Sequence, residues 1–126
     1  MKLLLDTHIL LWWLDDDPRL TRKTRALISE PSNGVLVSQV SLWETAIKQR
    51  IGKLHVGPGE ILPRLPEFGF DLLGLSNVHL LALTHLPHHH GDPFDHLLLA
   101  QAQVEQACLV SADMVLHQYG VPCIPA

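Results

Sequence analysis

The sequence predicts an α/β fold: a three-layer α/β/α arrangement around a central, mostly parallel sheet of about five strands. Three observations carry this. Short apolar runs recur without polar alternation, as in strands buried on both faces. Stretches with helical spacing separate them, which is the rhythm of parallel strands joined by crossover helices. The breakers at Pro31 to Gly34, Gly57 to Gly69 and Gly91 to Pro93 fall between these segments and not inside them.

The length of 126 residues suits one domain with its own core, taken as residues 1–126. A charged fraction of 17% is ordinary for a soluble protein, and no apolar run is long enough to span a bilayer. Asp6 interrupts the first apolar run and no small-residue cleavage site follows, so the start does not read as a signal peptide. Cys108 and Cys123 lack metal spacing, so buried free thiols in a reducing cytoplasm are expected. The net charge of -4 gives no overall basic footprint, so any nucleic-acid contact has to be local or metal-mediated. Every Lys and Arg lies at or before Arg64, while seven of the nine His follow it. The basic front half could face an anionic substrate, or it could simply be solvated helix surface at Arg19, Arg22, Lys23 and Arg25.

Leu3 to Leu5 form the first strand, and Asp6 stands at its carboxyl edge, where ligands bind in open α/β sheets. Asp6 is either a helix N-cap or a metal ligand. Thr7 to Leu14 is the first helix, with Trp12 and Trp13 expected in the core, or else on a surface for a partner chain. Asp15, Asp16 and Asp17 before Pro18 make a solvated turn. Thr21 to Ser29 is an amphipathic helix with Leu20, Ala26, Leu27 and Ile28 on its apolar side, and Val35 to Val37 is a strand. Ser41 and Glu44 have capping-box spacing at the start of a third helix that runs to Ile51, with Trp43, Ala46, Ile47 and Ile51 on one face. Residues 57 to 69 form a short interrupted helical segment. Phe70 to Leu73 is a strand, and Asn77 to Leu86 is a helix with Val78, Leu81, Ala82 and His85 on its period.

His88, His89 and His90 suggest a transition metal, but they show no fixed partners at helical or hairpin spacing, so a His-rich loop is the preferred reading. Asp92 is placed as the N-cap and Pro93 as the first residue of a helix that is apolar from Leu97 to Val104 and should lie deep against the sheet. Asp95 falls in its first turn, where it could complement the helix dipole or serve a site. Cys108 to Val110 is a strand, with Ser111 and Asp113 just past it. Met114 to Tyr119 is a short helix, and Val121 to Ile124 is a strand that Pro122 confines to an edge.

Parallel strands share one carboxyl edge, and right-handed crossovers return the chain to it. Asp6 and Asp113 would end strands there, and Glu44 and Asp95 would start helices there. Four acids facing one pocket repel one another unless cations bind or protons are taken up. Their hard oxygens favour Mg²⁺ or Mn²⁺, ions suited to phosphodiester hydrolysis.

Taken together, Leu3-Leu4-Leu5-Asp6-Thr7, Ser41-Leu42-Trp43-Glu44, His90-Gly91-Asp92-Pro93-Phe94-Asp95 with Leu98, Ala100, Gln101 and Ala102, and Val110-Ser111-Ala112-Asp113 resemble the successive motifs of PIN domains, most nearly those of bacterial VapC-type toxins. The resemblance covers essentially the whole chain. It implies a single PIN domain with the first strand central and a cytoplasmic endoribonuclease dependent on Mg²⁺ or Mn²⁺. The implied catalytic and metal-ligating residues are Asp6, Glu44, Asp95 and Asp113, with Ser111 and Thr7 as helpers. It further implies a homodimer, an antitoxin that blocks the site, and RNA as substrate, with tRNA and rRNA as candidates that the sequence does not decide between. Lys48, Arg50, Lys53 and His96 are the RNA-contact candidates, although a solvated helix end explains the first three equally well. His96 stands where many relatives carry Arg, and a neutral imidazole attracts phosphate less than guanidinium does. In-line attack by metal-activated water would leave 5′-phosphate and 3′-hydroxyl ends. Two rivals remain: a phosphatase using Asp6 as nucleophile, for which the usual second Asp is His8 here, and an inactive PIN-like module that binds an antitoxin or RNA.

Overall fold

A computed structural model describes residues 1–89 and 91–126, so the expectation for His90 lies outside the described residues. Five strands form one sheet in the order β3-β2-β1-β4-β5, with every neighbouring pair parallel. They are β1 (Lys2–Leu5), β2 (Gly34–Ser38), β3 (Asp71–Leu73), β4 (Cys108–Ser111) and β5 (Cys123–Pro125). The first strand is central, and the strand holding Pro125 is at an edge, where a missing amide proton is tolerated.

β1 alternates its leucines between two cores. Leu3 and Leu5 join the cluster on one face of the sheet with Ile9, Leu10, Leu20, Ile28, Val35 and Val37. Leu4 joins the other with Leu97, Leu98, Leu99, Ala102 and Leu109. The first layer is supplied by α1 (Thr7–Leu14), α2 (Arg22–Ser29), and Ile61 and Leu65 from the short helices α4 (Pro58–Ile61) and α5 (Leu65–Phe68). The second is supplied by α7 (Pro93–Glu105), with α6 (Asn77–Leu83) packed on it, and by the 3₁₀ turn Met114–Tyr119 through Leu116 and Tyr119. Helix α3 (Gln39–Arg50) leaves the carboxyl edge of β2 directly and sends Leu42 to the first core and Val40 to the second.

The structure corrects several sequence-based boundaries. Helix α3 starts at Gln39, with Ser38 Oγ accepting the Val40 N–H at 2.9 Å, so Ser41 and Glu44 form no capping box. Because β2 turns straight into the helix, Glu44 sits in its second turn and faces inward. The Trp43, Ile47 and Ile51 face points outward, with Trp43 56% exposed. Likewise Val78 and Leu81 on α6 are exposed, while His79, whose two ring nitrogens both have hydrogen-bond partners, turns in. Helix α6 ends at Leu83, short of Leu86, and Ala26 is exposed. The last strand begins at Cys123, not at Val121. The two cysteines are free but half-buried, not fully buried. Trp13 lies half-buried against Phe68 and Phe70, and Trp12 has Arg19 over its ring.

Candidate active site

The parallel register sets the site. Leu5 pairs with Val37 on one side and Val110 on the other, so Asp6, Ser38 and Ser111 follow from three adjacent strands at the same level. The Asp6 N–H donates to Val110 O at 3.1 Å, which extends the ladder by one residue. The Asp6 carboxylate accepts the Ile9 N–H at 2.9 Å, so it caps α1 while standing at the sheet edge. Its exposure is only 4%. Burial raises its pKa above the usual carboxylate range; hydrogen bonds from Ser111 and the Ile9 amide oppose that shift.

Glu44 is equally buried, and both its oxygens have partners. Thr7 Oγ1 donates to Oε1 at 2.7 Å and has Ser41 Oγ 3.0 Å away. Lys48 Nζ donates to Oε2 at 2.7 Å, four residues along the same helix. Asp92 caps α7 by accepting the Phe94 and Asp95 N–H groups at 2.9 and 3.2 Å, which fixes the turn that carries Asp95. Asp95 is pushed up to about 7, first by burial and then by the negative charges of Asp92, Asp6, Glu44 and Asp113. Asp113 is exposed and caps the 3₁₀ turn by accepting the Val115 N–H at 3.0 Å, while its own N–H donates to Ser111 Oγ.

The charges of Asp6, Glu44 and Asp113 thus all reach Asp95, and Ser111 and Thr7 hold Asp6 and Glu44 respectively. Lys48 is paired with Glu44, whereas Arg50 and Lys53 are exposed. His96 bonds through Nε2 to the Tyr119 hydroxyl at 3.0 Å. Beside it a surface hollow of about 260 Å³ is lined by Leu83, Leu86, Pro87, His88 and Pro93. Sequence reading missed Lys48 as a partner of Glu44, although i,i+4 spacing was its signal, and it missed Ser41 against Thr7, which has no sequence signal.

The donor set is hard carboxylate oxygen, and the mutual repulsion written into Asp95 is what a divalent cation would relieve. In charge and chemistry the residues fit such an ion. Among the described residues, however, no three His, Cys, Asp or Glu side chains already form a group able to hold a metal. The acids are held instead by caps, by Thr7 and by Lys48.

A family model described as "PIN domain" matches residues 3–122. No curated protein sequence matches the chain. Solved structures with the same fold include VapBC2 from Rickettsia felis bound to a DNA fragment from its promoter, with 16% identity, a TM-score of 0.74, and coverage of 99% of this chain and 98% of that one. DNA-bound VapBC from Salmonella typhimurium is 15% identical with a TM-score of 0.71, covering 99% and 98%. A toxin–antitoxin complex from Klebsiella pneumoniae is 20% identical with a TM-score of 0.60, covering 96% and 94%.

Proposed function

The chain belongs to the PIN domain family, and from that premise we propose that it is a Mg²⁺- or Mn²⁺-dependent endoribonuclease of VapC type, the toxin of a toxin–antitoxin pair. The observation that carries this reading is that Asp6 ends the central strand at the carboxyl edge of the sheet, and that its charge, with those of Glu44 and Asp113, reaches Asp95 from separate segments of the chain. These four would hold the cation, which when bound supplies Lewis-acid charge to the phosphodiester and the attacking water. Ser111 keeps Asp6 oriented and Thr7 keeps Glu44 oriented. Asp95, raised to about 7 by burial and by the neighbouring acids, would have to give up any bound proton to hold the cation. Arg50, Lys53 and His96 are the proposed backbone contacts.

The products carry 5′-phosphate and 3′-hydroxyl ends, since water and not the 2′-hydroxyl attacks. Because RNA is the substrate, the protein acts in the cytoplasm; among the described residues no helix is long and apolar enough to cross a membrane. The exposed apolar face of Trp43, Ile47 and Ile51 suits a second copy or an antitoxin, the partners proposed here. The antitoxin assignment draws support from the neighbouring folds seen in toxin–antitoxin complexes.

The test is cleavage of a mixed tRNA and rRNA pool with Mg²⁺, Mn²⁺ or EDTA, beside folded Asp6→Asn and Asp95→Asn variants. Metal-dependent cuts lost in both variants support the proposal, and 2′,3′-cyclic phosphate ends overturn its mechanism. A second reading, an inactive module that binds antitoxin or RNA, is favoured by the Lys48 pairing of Glu44 and the lack of a ready-made ligand group among the described residues. Failure of the folded chain to bind divalent cations would select it.

A further inference from the structure

A chain of buried polar side chains crosses the molecule behind the acids, and none of its members belongs to the acidic group. Gln101, in α7, and Ser38, at the end of β2, have no exposed surface, and His79 in α6 is 1% exposed. Ser38 Oγ accepts the Val40 N–H at 2.9 Å as the cap of α3, and its own proton goes to Gln101 Oε1. One hydroxyl therefore ties the start of the helix carrying Glu44 to the middle of the helix carrying Asp95. On the far side of the amide, Gln101 Nε2 donates to His79 Nδ1 at 3.3 Å and to Gly74 O at 3.4 Å. His79 Nδ1 also accepts the Ser76 N–H at 3.0 Å, so that nitrogen carries no proton. The other ring nitrogen is then the donor, and it meets Glu105 Oε2 at 3.0 Å. These requirements fix the Gln101 amide in one orientation: oxygen to Ser38, nitrogen to His79.

The surrounding apolar contacts restrict α7 by shape alone and carry no hydrogen-bond direction. Leu97, Leu98, Leu99, Ala100 and Ala102 anchor α7 by apolar burial, which is non-directional. A satisfied buried hydrogen-bond network is directional and specifies one arrangement. We propose that Gln101 is a positioning residue: through Ser38 it sets the register of α7 against α3, and so the spacing of Asp95 and Glu44 that divalent-cation binding requires. The inference rests on the reading of those two acids as partners in one metal site.

The test is Mn²⁺ titration of the metal-free chain by calorimetry, with RNA cleavage kinetics alongside, in wild type, Gln101→Met, Ser38→Ala, the double variant and Ile28→Val. Methionine keeps length and helix preference while removing both polar contacts. Ile28→Val lowers stability from the opposite face of the sheet and serves as the control for a merely structural effect. Gln101→Met is expected to weaken Mn²⁺ binding by about 10-fold and to lower kcat, with KM for RNA little changed, as supporting side chains behind metal ligands do. In the Ser38→Ala background the same change has a smaller effect, because the link is already cut. Ile28→Val leaves affinity and kcat as they were. Unchanged Mn²⁺ affinity and kcat in Gln101→Met, or an equal loss in Ile28→Val, overturns the inference. If wild type binds no Mn²⁺, the metal reading itself fails, and amide exchange at Val40 decides. Faster exchange in Gln101→Met than in Ile28→Val upholds the register role, and equal protection refutes it.

Discussion

Replacing Asp95 with Asn should abolish cleavage and, without metal at pH 8, make the protein more stable. The folded state holds a proton on Asp95 up to about pH 7, whereas the unfolded chain releases it near the ordinary value of 3.8. Between those values the folded state binds more protons, so this group's contribution to stability is greatest below about pH 4 and is lost as pH rises towards 7. A shift of that size amounts to about 4 kcal/mol at 1.36 kcal/mol per unit. Asp95 is partly open to water, and a carboxylate in the first turn of α7 gains ~0.5 kcal/mol from the helix dipole, so ~2 kcal/mol is the working figure. Asparagine keeps the shape and removes the charge. Below about pH 4 the two proteins should melt close together; at pH 8 the Asp95→Asn variant should melt later by roughly 8 °C for a chain of this size. Saturating Mg²⁺ or Mn²⁺ should reverse the order, because binding stabilises the wild type by mass action. Thermal melts from below pH 4 to pH 8, with and without metal, read this directly. If the variant melts below wild type at pH 8 without metal, the acids do not repel as argued.

The pairing of Lys48 with Glu44 makes a second, opposite prediction. The ammonium occupies the place of a counter-cation, so Lys48→Met should lower the metal-free melting temperature while tightening Mg²⁺ binding several-fold, as calorimetry would show; weaker binding would mean that Lys48 supports the site and does not compete for it. The tryptophans separate core from surface. Trp13→Ala should cost ~3–5 kcal/mol in denaturant melts, because the ring packs on Phe68 and Phe70. Trp43→Ala gives up chiefly its edge contact with Phe94, ~1 kcal/mol, and should instead lower the sedimentation mass of any dimer; an unchanged dimer would remove that face from the interface.

Much of this was legible in the residues because the signals were redundant. Leu3-Leu4-Leu5-Asp6 carries both the buried strand and the acid that ends it, and Asp92-Pro93 carries both a cap and a first helical residue, so those boundaries were found from local chemistry. The central place of β1 was implied only by the family resemblance; the pattern shared by β1 and β4, an apolar run with an acid just beyond, belongs to two strands that pair in parallel. Helix α3 was legible in type but not in phase. Ser38, Ser41 and Glu44 all carry capping chemistry, and spacing cannot tell which serine stands at the strand end. That is settled by β2 extending to Ser38 beside β3, a non-local pairing.

The faces of α3 and α6 were misjudged for a related reason, and it bears on how the site is built. Apolar periodicity assumes that the buried stripe of a helix is its apolar stripe. In α3 the buried stripe includes Ser41, Glu44 and Thr45, and in α6 it includes His79. These polar residues can turn inward because partners from elsewhere in the chain meet them there: Thr7 on Glu44, and Gln101 and Glu105 on His79. Burial without partners would be costly; Thr45 finds its own within the helix, at Leu42 O, while Glu44 and His79 depend on side chains from elsewhere. A helix whose apolar face is turned to solvent while its polar face is buried marks two things at once. One is a polar site behind it, and the other is an apolar surface that a partner can cover. In α3 the first is the Glu44 side and the second is Trp43 with Ile47 and Ile51. Site and docking face thus lie back to back on one helix, so a partner seated on Trp43 bears on the element that carries Glu44.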